Sequence, residues 1–252
     1  MPRFKERCKE RIKEGVQREG SFVLSHSLSV VRSPVVKKEC SFYDSRMARV
    51  SQEHLDARRR QILTGAARCF ARNGFHGTSM QDVLKEVGLS AGAVYRYFAG
   101  KDDLIAAIAD EAFQYIRHAF AEAAEISPPP TPDVLLGRVV RGVFTGQVYG
   151  LERRTCAALI VQVWAESMRN ERLAKTLGEG YAGMRAGWAQ LVEAYRAAGL
   201  LRADVPADDV ARTMIATAQG FIAQEALFGG VEPEALENGL RGLMSIDAQR
   251  IS

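Results

Sequence analysis

The sequence has no apolar run that approaches the roughly 18 residues needed by a membrane-spanning helix. Hydrophobic residues make up 47% of the chain and charged residues 25%, which is typical of a globular protein. An apolar patch at residues 22–31 is interrupted by His26 and several serines, so it lacks the pattern of a signal peptide. We therefore expect a cytoplasmic protein without a membrane partner.

Cysteine and histidine are scarce and scattered. The cysteines are Cys8, Cys40, Cys69 and Cys156, and the histidines are His26, His54, His76 and His118. Neither set has metal-ligand spacing such as CxxC or HExxH. The sequence therefore predicts no metal site and no cofactor. Cys69 and Cys156 fall on apolar helical faces, which favours buried thiols.

Enzyme signatures are also missing. The chain contains no Walker loop, no dinucleotide-binding fingerprint and no paired carboxylate–histidine spacing. We expect no enzymatic activity. An all-α enzyme with an unrecognised catalytic constellation is the remote alternative.

Charge is distributed unevenly along the chain. Residues 1–46 carry 11 Lys or Arg and 6 Asp or Glu, residues 47–101 carry 9 and 4, and residues 102–252 carry 14 and 20. The net charges are therefore +5, +5 and −6. A compact basic segment joined to an acidic remainder is typical of a nucleic-acid-binding module, although a solvated basic surface has the same composition.

Residues 1–46 show no sustained helical or strand period. We expect a poorly ordered basic extension, and Met47, directly before the regular pattern, suggests a misassigned start. The other interpretation is a basic arm that adds non-specific DNA affinity.

Two helices are predicted directly after this extension. Apolar residues recur at three-to-four spacing through residues 51–73, and Gly74 follows as a helix-ending residue. Thr78 or Ser79 can cap a second helix, and Thr78 with Gln81 fits a capping box. That helix reaches residue 87.

A glycine turn then leads to a third helix. Gly88 suits the turn, and Ser90 can cap a helix that runs through Tyr97. Two short helices joined in this way are the core of a helix-turn-helix. The segment Gly-Leu-Ser-x-Gly-x-Val-Tyr-x-Tyr-Phe-x-x-Lys-x-x-Leu at residues 88–104 closely resembles the DNA-binding domain of the TetR family of transcriptional regulators.

The resemblance implies that residues 47–101 bind operator DNA with the third helix in the major groove. Small residues at the start of that helix let its backbone approach the bases closely. Tyr95 and Tyr97 suit contacts to sugar, phosphate or a thymine methyl, whereas Val94 and Phe98 suit core packing. The Gln81 amide can pair with adenine. The candidate DNA-binding residues are Thr78, Ser79, Gln81, Ser90, Ala91, Gly92, Ala93, Tyr95, Tyr97 and Lys101.

Lys101 is unusual for its position at the start of the fourth predicted helix. A cation there opposes the helix dipole, which Asp102 and Asp103 complement. A phosphate contact explains the exception, and the resemblance implies that role. The basic residues 58–60 are either further phosphate contacts or a solvated helix face.

Helical periodicity continues through the rest of the chain, and no strand alternation interrupts it. A proline cluster at residues 128–132 ends the fourth helix, and further helices are predicted at residues 134–149, 152–169, 206–228 and 233–245. Between residues 169 and 206 a further helix is predicted, because apolar residues recur at steps of three or four residues: Leu173, Leu177, Tyr181, Met184, Trp188, Leu191 and Tyr195. The predicted fold is therefore all-α, with an N-terminal three-helix domain and a helical domain at residues 102–252.

The resemblance further implies a homodimer formed by the last two helices and a palindromic operator. It also implies a small-molecule effector that binds between the middle helices and shifts the fourth one. Polar or large aromatic residues that interrupt the apolar interior are the candidate effector contacts: Gln147, Tyr149, Gln162, Trp164, Glu166, Tyr181 and Gln219. We expect a repressor released from DNA by that effector, and the alternative is a regulator or activator without a small-molecule effector.

Overall fold

The computed structural model describes residues 34–144, 149–202 and 204–245, with side chains from residue 52 onward. Every regular element in these residues is an α-helix, as the sequence predicts. Residue contacts divide the chain into two compact units, residues 1–51 and residues 52–252. The helices are α1 (Pro34–Gly77), α2 (Met80–Val87), α3 (Ala91–Tyr95), α4 (Lys101–Ala124), α5 (Pro132–Phe144), α6 (Arg153–Ser167), α7 (Glu171–Ala197), α8 (Ala207–Phe228) and α9 (Pro233–Met244).

The first three helices share one apolar core with α4, α6 and α7. Ile62, Leu63 and Phe70 of α1 are completely buried, and they pack with Val83 of α2 and Val94 of α3. Gly65 lets α1 and α2 approach closely, because a Cβ at this position would collide with Val87. The first helix thus has no side chain at Gly65, where α2 packs directly against it.

Two glycines set the direction of the chain in this region. Gly74 has φ +73° and introduces a kink near the end of α1. Gly88 follows α2 with φ 65° and ψ 32°, in the left-handed region, and its N–H donates to the Leu84 carbonyl. Residues that carry a side chain rarely adopt a positive φ, so glycine is the residue suited to both positions.

Helices α4, α7 and α8 form the centre of the remaining structure. Trp188 of α7 is 2% exposed and packs edge-on against Phe120 of α4, with ring centroids 5.3 Å apart. The periodic residues of α7 behave in two ways. Most are buried in the core, whereas Tyr181 and Met184 are half-buried and border a cavity.

Ion pairs attach the last helix to α5. Arg241 of α9 lies 2.9 Å from the buried carboxylate of Asp133, and Arg141 of α5 pairs with Glu237 of α9. Because Asp133 is 3% exposed, its charge needs this partner. These contacts fix α9 beside α5 and leave other surfaces of α8 and α9 uncovered.

Candidate nucleic-acid interface and inner cavity

Ser79, not Thr78, caps α2. Its Oγ accepts a hydrogen bond from the Asp82 N–H at 3.2 Å, and the Asp82 carboxylate accepts one from the Ser79 N–H at 2.8 Å. This is a complete capping box, so the pairing of Thr78 with Gln81 expected from the sequence is wrong. Gln81 is exposed on the outer surface of α2.

Thr78 has an internal role. Its side chain is buried, and its hydroxyl lies 2.7 Å from the Gly74 carbonyl and 3.1 Å from the Cys69 carbonyl. It therefore ties the end of α1 to the start of α2. These contacts argue against the predicted contact between the Thr78 side chain and DNA.

The start of α3 is small and exposed. Ser90 caps the helix by accepting from the Ala93 N–H at 3.4 Å, and Ala91 and Gly92 project no bulky atoms from the first turn. A Cβ built at Gly92 would meet nothing within 4 Å. A groove wall can therefore approach this backbone closely.

The two tyrosines of this region differ in environment. Tyr95 is 49% exposed, whereas Tyr97 is half-buried and packs against the apolar core that the first three helices share with α4, α6 and α7. Helix α3 ends at Tyr95, so Tyr97 lies in the following turn and not on the helix. Of the two phenols, Tyr95 is the one presented to a partner.

Lys101 makes an intramolecular contact. Its ammonium group donates a 3.0 Å hydrogen bond to the Phe75 carbonyl and lies 4.8 Å from the centre of the Phe75 ring. These contacts give a second reason for a cation at the start of α4. An ammonium group has three donors, so a phosphate contact remains compatible with this position.

The basic residues of α1 have separate environments. Arg59 pairs with Glu111 of α4 at 2.6 Å and lies over the Phe98 ring, 5.5 Å from its centre. Burial raises the pKa of Glu111, and the neighbouring guanidinium opposes that shift. Arg59 is therefore a link between α1 and α4, while Arg58 and Arg60 are exposed.

The sequence of residues 88–92, Gly-Leu-Ser-Ala-Gly, also matches the G-x-S-x-G nucleophile motif of α/β-hydrolases. That motif requires a strand before the serine and a helix after it. Here Ser90 stands between two helices and serves as a helix cap. The surroundings are those of a helix-turn-helix.

An apolar cavity of about 130 Å³ lies between α4, α6, α7 and α8. Its lining combines aliphatic residues with a few aromatic ones: Ile108, Ala109, Ala112, Phe113, Ile116, Val143, Tyr149, Cys156, Leu159, Ile160, Val163, Trp164, Leu177, Tyr181, Met184, Ile215, Ala218, Gln219 and Ile222. Burial raises the pKa of the Cys156 thiol to about 11, so this thiol stays protonated at neutral pH.

The structure brings four of the predicted effector contacts together on the cavity wall. These are Tyr149, Trp164, Tyr181 and Gln219. The Tyr149 hydroxyl donates to the Ile108 carbonyl at 2.5 Å, and the Gln219 amide donates to the Tyr181 hydroxyl. Gln147 falls outside the described residues.

Gln162 and Glu166 lie away from the cavity, which corrects the prediction for both. Gln162 and Glu166 are four residues apart, so they lie on the same face of α6, the one that meets the end of α1. Glu166 lies 2.9 Å from His76, and Gln162 approaches Gly74. Glu166 therefore connects α6 with the end of α1, and the buried Gln162 amide oxygen beside it has no hydrogen-bond partner.

Within the described ranges, neither a metal-binding cluster nor a membrane-spanning helix is found. No group of three or more histidine, cysteine or acidic side chains is placed to hold a metal ion there. No helix among the same residues has both the length and the apolarity for a membrane crossing.

Comparison with known proteins agrees with this architecture in both halves of the chain. Residues 62–108 match the family of bacterial regulatory proteins named tetR, and residues 138–243 match the C-terminal part of BetI-type transcriptional repressors. The solved structure of GusR from Salmonella enterica is 30% identical, with a TM-score of 0.60, over 75% of this chain and 96% of GusR. The chain belongs to the TetR family.

Other TetR-type proteins share more limited regions or only the fold. The HTH-type transcriptional repressor Rv1474c of Mycobacterium tuberculosis is 46% identical over 65 residues, which cover 26% of this chain and 35% of that repressor. The chain thus spans about a third of this relative. FadR from Bacillus subtilis, solved in complex with stearoyl-CoA, shares the fold with a TM-score of 0.60 at 19% identity, over 73% of this chain and 96% of FadR.

The TetR-type domain also contains exposed residues that the sequence argument did not select. Arg96 follows α3 directly and Lys85 lies on α2, and both are exposed. Each is a cation near a residue that was predicted to contact a base or a phosphate. A positive charge in such a position is the sequence feature that could have identified both residues. His76 pairs with Glu166 of α6, and Asn170 and Arg172 contact Asp102 and Asp103 of α4. These contacts had no equivalent signal, because they join residues distant in sequence.

Proposed function

We propose that this chain is a dimeric transcriptional repressor whose α2 and α3 bind a palindromic operator and whose inner cavity binds a small-molecule effector. In this proposal residues 47–101 bind DNA, and residues 102–252 bind the effector and the second subunit. The exposed, small first turn of α3 and the exposed phenol of Tyr95 support the DNA contact.

The observation that carries the proposal is the position of α4. The first turn of this helix contacts Phe75 through Lys101, and residues 108–116 of the same helix form part of the cavity wall. The two regions are about 10 Å apart along the axis, at 1.5 Å per residue. Because a helix transmits displacement along its axis, occupation of the cavity changes the position of the DNA-binding helices.

A second connection runs through the turn between α6 and α7. Glu166 at the end of α6 pairs with His76, Asn170 donates to Asp102 at 2.7 Å, and Arg172 pairs with Asp103. Both α6 and α7 also line the cavity. A wall movement that shifts either helix therefore acts on the start of α4 and the end of α1.

The uncovered faces of α8 and α9 support a second copy of the chain as the partner. Leu227, Phe228, Leu243 and Met244 are 64%, 76%, 68% and 47% exposed. A groove between the two helices runs past Gly220 and Gly239, where an added Cβ would meet nothing within 4 Å. Small residues beside exposed apolar ones suit close helix packing across a two-fold axis.

The complex of FadR with stearoyl-CoA supports the cavity as the effector site, because that protein shares this fold. If the effector weakens DNA binding by a given factor, DNA weakens effector binding by the same factor. The repressor function is also supported by the related repressor from Mycobacterium tuberculosis.

The test is selection of bound sequences from random duplex DNA by the full chain, with Tyr95→Ala as the matched variant. We expect an enriched palindrome for the wild type and weak or no enrichment for the variant. Selection without any sequence preference, together with binding that only follows salt concentration, contradicts the proposal. Sedimentation of wild type and Leu243→Asp then tests the dimer: the variant is expected to shift toward the monomer.

A further inference from the structure

The described residues of the cavity wall include no cationic and no carboxylate side chain. None of these lining residues is Asp, Glu, Lys, Arg or His. A charged ligand buried here would lose its hydration without gaining a counter-charge from the described wall. The wall therefore selects against anions and cations.

One pair of side chains supplies polar recognition across the cavity. Tyr181 of α7 and Gln219 of α8 are both half-buried, and the Gln219 amide N–H₂ donates to the Tyr181 hydroxyl. Burial raises the pKa of Tyr181, so its hydroxyl proton is present at neutral pH. The pair can offer that proton to an acceptor, and the Gln219 carbonyl oxygen can accept from a donor.

The other polar groups of the wall contribute less. The Tyr149 hydroxyl donates to the Ile108 carbonyl, and the Cys156 thiol donates to the Val143 carbonyl at 3.6 Å. Trp164 adds an indole N–H, which is a donor only. Among the described wall residues, donor and acceptor thus occur side by side at Tyr181 and Gln219.

The size and shape of the cavity limit the ligand further. The volume of about 130 Å³ compares with the roughly 150 Å³ of an engineered apolar cavity that binds benzene. The rings of Phe113 and Tyr181 meet edge to face at 6.0 Å and form one side of the space. A single ring or a short chain therefore fits before the wall has to move.

We infer that the effector is a compact, uncharged, mainly apolar molecule with one hydroxyl or carbonyl group, which binds at Tyr181 and Gln219. This inference rests on the proposed function, since it assigns a chemical class to the effector of that function. It gives the two side chains a specific role: Tyr181 and Gln219 orient the polar end, and the aliphatic wall holds the remainder.

The experiment uses two sets of matched probes with the full-length chain. One set is 4-methylphenol, toluene and 4-methylbenzoate, and the other is 1-octanol, octane and octanoate. Thermal shift and calorimetry measure binding, and anisotropy of the selected operator measures DNA release. In at least one set we expect the alcohol or phenol to bind about tenfold more tightly than the hydrocarbon and at least about 100-fold more tightly than the carboxylate.

Two conservative variants test the polar pair. Tyr181→Phe and Gln219→Leu are each expected to bring the affinities for the hydroxyl probe and the hydrocarbon to within about threefold of one another. Tyr195→Phe is the matched control, because its hydroxyl donates to the Pro130 carbonyl outside the cavity lining. This control is expected to retain the wild-type preference.

The outcomes separate the inference from the proposed function. Preferred binding of a carboxylate, equal binding of all three probes in both sets, or no binding of either hydroxyl probe overturns the inference. If a carboxylate releases DNA, the inference fails and the proposed function stands. If the hydroxyl probe binds through Tyr181 but operator binding is absent or never changes, the ligand-binding role of Tyr181 and Gln219 stands, and the proposed function fails together with the name effector for the ligand.

Discussion

Asn170 Nδ2 donates a 2.7 Å hydrogen bond to Asp102 Oδ1, which joins the start of α7 to the first turn of α4. Asn170 Oδ1 accepts a hydrogen bond from the Leu173 N–H at 3.0 Å, and Asn170 thereby caps α7. Asn170 therefore caps the start of a helix that lines the cavity and also bonds to α4, the helix that contacts the DNA-binding region. Any displacement of this cap acts directly on Asp102.

Changing Asn170 to Asp separates the two roles. Aspartate caps a helix as well as asparagine does, so the fold is expected to lose less than about 1 kcal/mol of unfolding free energy. The donor to Asp102 is lost, and a like charge takes its place. We expect the effector-induced loss of operator affinity to decrease by at least about fivefold, measured by anisotropy with and without effector.

Gln190→Glu is the control for this experiment, because it adds the same charge to an exposed position of α7. Asn170→Ala loses both contacts and is expected to lower stability by about 1 kcal/mol in addition. An unchanged effector response in Asn170→Asp would show that the cap plays no part in release.

Tyr95 and Tyr97 are expected to respond differently to alanine. Tyr95 is 49% exposed, so Tyr95→Ala is expected to leave the melting temperature within about 2 °C and weaken operator binding by about tenfold or more. Tyr97 packs against the core, so Tyr97→Ala is expected to cost about 2 kcal/mol of unfolding free energy. Calorimetry and operator titration measure the two effects. Wild-type operator affinity in Tyr95→Ala would remove this tyrosine from the interface.

The salt dependence of binding tests Lys101. If one of its free donors contacts a phosphate, Lys101→Met reduces the slope of log K against log salt by about one unit. We expect this reduction, together with a loss of about 1 kcal/mol of stability from the missing bond to the Phe75 carbonyl. Lys175→Met is the control, because it removes an exposed cation of α7, outside the DNA-binding domain, and is expected to leave the slope unchanged. A slope equal to that of the wild type would assign Lys101 to the Phe75 contact alone.

The capping box predicts a dependence of stability on acid. Hydrogen bonds from the hydroxyl and backbone N–H of Ser79 lower the pKa of Asp82. A carboxyl group with a lower pKa in the folded chain stabilises the fold above its ordinary pKa of about 3.9, and this contribution disappears as the pH falls through the lower value. We expect the melting-temperature advantage of the wild type over Asp82→Asn to shrink between about pH 5 and pH 2.

Ser79→Ala removes the hydroxyl that contributes most to this shift. In that background the same comparison is expected to show a smaller change with pH. An advantage of the wild type that grows on acidification would contradict the assignment of the shift to the capping box.

The existence of the helices follows from local sequence, and so do several of their ends. The exceptions are α1, which begins at Pro34 within the extension predicted to be poorly ordered, and α3, which ends at Tyr95 and not at Tyr97. Apolar spacing of three to four residues, Gly88 after α2 and the prolines after α4 each act within a few residues of the chain. The all-α fold and the helix-turn-helix were therefore predicted correctly from the sequence. The resemblance at residues 88–104 added the family, which the comparisons confirm.

The identity of the α2 cap was decided by tertiary structure. Thr78 and Ser79 are adjacent hydroxyl residues, and local rules allow either to cap the helix. Thr78 turns inward because its hydroxyl bonds to the Cys69 and Gly74 carbonyls of α1. Ser79 then faces the helix, and its box forms with Asp82 and not with Gln81.

Tertiary structure also decided which residues line the cavity. Gln162, Trp164 and Glu166 belong to one helix, and steps of two residues turn them to opposite sides at 3.6 residues per turn. Trp164 faces the cavity, whereas Gln162 and Glu166 face Gly74 and His76. Periodicity by itself determined that these three residues belong to one helix, and all three were predicted as effector contacts. Only the packing of α1 on one side and α7 and α8 on the other decided which face borders the cavity, because those contacts join residues far apart in the chain.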